Sequence, residues 1–148
     1  MAVTNPYLTF PGTCEEAFNF YKSVFGGEFT YIGRFGVMPP DPNYTMPESD
    51  ANKIMHISLP ISKETALMGS DSGGEWAPSL TIGNNISISI NAGSRDEADR
   101  LFNALAAGGK VSMPLADVFW GDYFGMLEDK FGIHWMMSHN PEYQGEKQ

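Results

Sequence analysis

Apolar residues fall into a helical pattern soon after the start of the chain. Ala17, Phe20, Tyr21 and Val24 share one face, and Gly26-Gly27 stops the run. Thr13-Cys-Glu-Glu16 precedes them, an S/T-x-x-E box in which the hydroxyl and the carboxylate would each cap backbone N–H groups. The same order recurs 81 residues on, from Thr13 to Ser94. There Ser94-Arg-Asp-Glu97 is followed by Ala98, Leu101, Phe102 and Leu105, with Gly108-Gly109 as the stop. Capping pair, apolar face and glycine stop all repeat, the second helix reading one residue longer.

Extended runs flank both helices in the same order. TNPYLTF (4–10) and NNISISINA (84–92) precede them. EFTYIGRF, KIMHISLPI and ETALMGS follow the first, and KVSMP, YFGMLED and GIHWMMS follow the second. Each half therefore reads β-α-β-β-β, with module one over about 1–70, a linker at 71–83 and module two over about 84–148. The proline-rich stretch 37–52 reads as a long loop, a candidate lid or cover for a neighbouring subunit. Neither half is large enough to bury a sheet face alone, so the two should share one sheet or barrel.

Alternation assigns the strand faces. Ile86, Ile88 and Ile90 point one way, and Asn85, Ser87, Ser89 and Asn91 the other. Met55, Ile57, Leu59 and Ile61 share a face, leaving His56 and Ser58 opposite. With the apolar faces under the helices, the polar faces either line a concavity or meet water. The densest stretch, FWGDYFGMLEDKFGIHW (119–135), divides into a loop carrying Phe119 and Trp120 and a closing hairpin turning at Asp129–Gly132. In its last strand Ile133, Trp135 and Met137 should pack under the helices, with His134, Met136 and Ser138 opposite.

Composition narrows the partners. Nine Lys+Arg against 18 Asp+Glu give a net charge of −9, unfavourable for nucleic acid and for anionic membrane surfaces. No run is apolar and long enough to span a bilayer, and no secretory signal is visible at the start. A single cysteine excludes an internal disulfide, so the cytoplasm is the expected compartment. Small molecules and other protein chains remain as partners.

PYLTFPGTCEEAFNFYKSVFGGE and MPLADVFWGDYFGMLEDKFGIHWMM resemble the terminal signatures of PhnB-like proteins, within the vicinal-oxygen-chelate superfamily of glyoxalases, bleomycin-resistance proteins and dioxygenases. The resemblance implies an α+β fold of two βαβββ modules, forming a curved mixed sheet or half-open barrel with the helices on its convex side. It also implies a homodimer. Enzymes of the superfamily hold a divalent metal through His or Glu on four strands. The matching positions here are Asn5 (or Pro6), Leu67 or Met68, Asn85 and Met136, none of them His or Glu, so no metal and no other cofactor is expected.

The favoured expectation is a protein that binds a small molecule in the sheet cup. Asn5, Tyr7, His56, Ser58, Asn85, Ser87, Trp120, Tyr123, His134 and Met136 are its candidate ligand-binding residues, with Thr9 beside Tyr7. The alternatives are a lyase, isomerase or dioxygenase with a metal displaced to His56 and His134, and a dimeric interaction module with a filled cup. Cys14, at a helix start that favours thiolate, has no histidine nearby and reads as structural, as do Glu15, Glu16, Glu128 and Asp129. Proteins of this group carry a demethylubiquinone methyltransferase label. A Rossmann-like methyltransferase needs a glycine-rich first loop, whereas FPGTCEEA holds one glycine.

Overall fold

A computed structural model describes residues 2–37, 39, 42–43, 45–73 and 80–141. Residues 74–79 of the expected linker, 142–148 of the second module and positions 38, 40, 41 and 44 of the proline-rich loop lie outside the described residues. The chain divides into two compact units, 1–81 and 82–148.

The first unit runs β1 (Tyr7–Phe10), α1 (Cys14–Phe25), β2 (Tyr31–Arg34), β3 (Ile54–Pro60) and β4 (Ala66–Asp71). Its sheet has the order β1-β4-β3-β2, with β1 parallel to β4 and the other pairs antiparallel. The second unit repeats this with β5 (Ile88–Asn91), α2 (Arg95–Ala106), β6 (Lys110–Asp117), β7 (Tyr123–Glu128) and β8 (His134–His139). Its order is β5-β8-β7-β6, with β5 parallel to β8. This is the expected βαβββ repeat in each unit. Both helices have 12 residues, so the extra residue expected in the second lies beyond its end.

Each helix packs one face on its own sheet. Ala17, Tyr21 and Val24 are buried as the spacing predicts, and Phe18 is buried in place of the half-buried Phe20. Gly69 on β4 permits this, because a Cβ there would lie 2.8 Å from the Phe18 ring and 2.6 Å from the Leu8 carbonyl oxygen. In the second unit Ala98, Leu101, Phe102 and Leu105 meet Leu127, Trp135 and Met137 in the buried core.

The two capping boxes differ. Ser94 Oγ accepts from Glu97 N at 3.0 Å, while Glu97 Oε1 accepts from Gly93 N at 2.7 Å, one residue before the expected partner. Thr13 makes no side-chain cap. The start of α1 is capped from a distance instead, by Asp71 at the end of β4, whose Oδ1 accepts from Cys14 N at 2.8 Å.

Strand phase also departs from simple alternation. β3 pairs Gly33 with His56 but Arg34 with Ile54, so Met55 is an extra, bulged residue. Ile54 thereby joins the core with Ile57 and Leu59, and Met55 turns away from it, correcting the expectation that Met55 lies under the helix. Asp71 Oδ2 accepts from Ile54 N beside the bulge at 2.8 Å. In the second unit β5 begins only at Ile88, leaving Ile86 76% exposed rather than packed under α2.

Candidate functional site

In the first unit, register places Tyr7, Met68, Ser58 and Tyr31 in one row across all four strands, on the face turned from α1. His56 lies on this face between two aromatic rings. It stacks on Tyr7 with ring centres 5.5 Å apart and planes 21° apart, and meets Tyr31 at 5.6 Å. The Tyr7 hydroxyl and His56 Nδ1 are hydrogen-bonded at 3.1 Å, the imidazole tautomer setting the direction.

A cavity of about 670 Å³ opens beside this cluster. Tyr7, Thr9, Met55 and Ser70 line it from the strands, with Phe35 and Asp71–Gly73 from the strand ends and Leu80 and Thr81 from the chain that follows. The volume lies within the range of small-molecule pockets. Gly73 lets the backbone pass over the Phe35 ring, where a Cβ would sit 2.8 Å from Cε2. Asp71 is 4% exposed, and its two oxygens are held by the Cys14 and Ile54 amides already described. Ser70–Gly73, Leu80 and Thr81 fall at or within the expected linker, whose composition carries no functional signal.

The expected site residues divide. Tyr7 lines the cavity, His56 touches Tyr7, and Ser58 shares their face. Asn5 stands before β1 and its Oδ1 accepts from Ala66 N at 2.8 Å, tying β1 to β4. Asn85 and Ser87 are exposed and precede β5.

On β8, Met136 faces away from α2 in a register row with Ser89, Met126 and Met113, and His134 pairs with Glu128. Trp120 is half exposed, its Nε1 donating to Asp122 at 2.9 Å and its ring edge meeting Phe124. Tyr123 departs from the expected aromatic wall. It alternates with Gly125 and Leu127 on the α2 side, donates its hydroxyl hydrogen bond to Asp99, and lies under the Arg95 guanidinium at 3.9 Å. The Asp99 bond raises the Tyr123 pKa. Phe124, the next residue, takes the opposite face.

The four positions implied for a metal do not suit one. Asn5 is committed to Ala66, Leu67 is buried in the core, Met68 and Met136 offer only thioethers, and Asn85 is exposed outside a strand. Among the described residues no three of His, Cys, Asp and Glu converge. Cys14 is fully buried, and burial pushes its thiol up, with Asp71 and Glu15 pushing further, overturning the lowered pKa that a helix start alone would give. Among the described residues no helix is long and apolar enough to cross a membrane.

Comparison with known proteins places this geometry. A family model described as 3-demethylubiquinone-9 3-methyltransferase matches residues 2–138. The crystal structure of PA1353 from Pseudomonas aeruginosa is 40% identical, with a TM-score of 0.80, covering 95% of this chain and 98% of that one. The PhnB protein from Bacillus cereus is 27% identical with a TM-score of 0.70, covering 92% and 98%. A glyoxalase/bleomycin resistance protein from Albidiferax ferrireducens, at 17% identity and a TM-score of 0.57 over 93% and 97%, shares the fold. The chain belongs to the PhnB-like, 3-demethylubiquinone-9 3-methyltransferase-like family, built on the glyoxalase/bleomycin resistance fold.

Proposed function

We propose that this protein binds a small organic molecule in the cavity of its first unit, without the divalent metal used by enzymes of the superfamily. The observation that carries the reading is the cavity itself: about 670 Å³ lined by aromatic, thioether and hydroxyl groups. Rigid aromatic walls with a few polar groups suit a flat, partly apolar ligand. The absence of imidazole and carboxylate at the four metal positions supports the metal-free part. Methyl transfer from a nucleotide-type cofactor gains no support from the fold, since each sheet has a single parallel pair and no Rossmann-type run of parallel strands. A homodimer acting in the cytoplasm completes the proposal.

A thermal-shift screen of metals, small aromatics and phosphonates tests it. The proposal expects at least one organic ligand to raise Tm and metal salts alone to leave it unchanged. Stabilisation by a transition metal alone, with stoichiometric metal retained through purification, would support the displaced-metal enzyme instead.

A further inference from the structure

We propose that the molecule taken by this cavity is an organic cation, an ammonium or guanidinium carried on a compact apolar or aromatic body; this rests on the binding reading above. Among the described lining residues Asp71 is the one charged group, and none of them is Lys, Arg or His. The nearby cations point elsewhere. Arg34 is held by both carboxylate oxygens of Glu15 and by the Asn52 carbonyl, and Lys53 is paired with Asp50 at 2.9 Å.

Asp71 is held by backbone N–H groups, which stabilise its carboxylate but supply no full countercharge. The positive end of α1 offsets part of the charge, equivalent to roughly half a unit. A partly offset carboxylate as the one charged group among the described lining residues, in reduced dielectric, disfavours anions and favours cations. The remaining lining repeats that preference. Tyr7 and Phe35 bring aromatic rings to the lining, and aromatic rings attract ammonium and guanidinium groups. The lining residues Thr9, Ser70, Ser72 and Thr81 carry hydroxyls able to accept N–H bonds, and the Met55 thioether suits an apolar body. The net charge of −9 draws cations toward the molecule as a whole.

Three probes of similar size separate the possibilities: benzyltrimethylammonium, benzyl alcohol and benzenesulfonate. Each is titrated into the full chain while the amide resonances of Thr9, Ser70, Ser72 and Gly73 are followed by NMR. The expected order is cation tightest and sulfonate weakest, with the cation roughly tenfold tighter than the alcohol, the scale of one partly offset charge. Thr9→Lys, which leaves the Asp71 hydrogen bonds intact, should remove the preference for the cation over the alcohol and sulfonate. Asp71→Asn should do the same if it folds; where it does not, Thr9→Lys decides. Alcohol or sulfonate binding tighter than the cation would overturn this inference and leave the binding reading standing. No movement of these resonances with any probe would overturn both.

Discussion

Replacing Asp71 with alanine removes one carboxylate that holds two distant pieces of backbone. Cys14 N at the start of α1 and Ile54 N at the β3 bulge each donate to it at 2.8 Å, and the site is buried. Each orphaned buried N–H costs about 1–3 kcal/mol. Relief of the buried carboxylate and entry of water return part of this, so the expected loss is about 3 kcal/mol. For a chain of this length that lowers Tm by about 6–12 °C. Urea unfolding measures the total, and hydrogen exchange at the Cys14 and Ile54 amides shows whether the loss is local. A loss below about 1 kcal/mol, with those amides still protected, would refute the claim that Asp71 caps α1 and secures the bulge.

The two capping boxes should respond differently to alanine: Ser94→Ala should cost about 1 kcal/mol and Thr13→Ala a few tenths, because only Ser94 makes a cap bond. Equal costs in urea unfolding would contradict the remote cap. Gly69→Ala should destabilise by about 1–3 kcal/mol through overlap with Phe18 and the Leu8 carbonyl, read by the same assay. Cys14 should resist a thiol reagent at pH 8 in the folded protein and react fully in denaturant, since burial both shields the thiol and raises its pKa; rapid native labelling would contradict this. Arg34 lowers the Glu15 pKa mainly through their hydrogen bond, so this carboxylate stabilises the fold above its unfolded pKa, and the stability is lost as pH falls through the folded one. The pair is largely exposed, so comparing the pH dependence of wild type with Glu15→Gln should show a difference below about 1 kcal/mol that shrinks in 1 M salt.

The repeated βαβββ order was legible because helix periodicity, glycine stops and alternating strands are local signals. Ala98, Leu101, Phe102 and Leu105 carried the second helix's buried face without ambiguity. What stayed hidden depends on contacts distant in sequence. Asp71 caps a helix start 57 residues away, and nothing around Thr13 reveals that its own hydroxyl goes unused. The bulge at Met55 shifts the strand phase by one residue, moving Ile54 into the core and Met55 to the cavity. Simple alternation has no means of registering such an insertion. Tyr7, His56 and Ser58 were legible as a polar sheet face. Ser70–Gly73 were not, because their composition reads as a linker and only the β1–β4 pairing makes them part of the site.

The most direct test of the central claim is an amide NMR titration of the intact chain with a fragment library, with resonances assigned in both units. Binders should perturb Tyr7, Thr9, Met55 and Ser70–Gly73 together, with saturable curves and no added metal. Fragments that bind only in the second unit, or a library that yields no binder at the first unit's cavity, would contradict it.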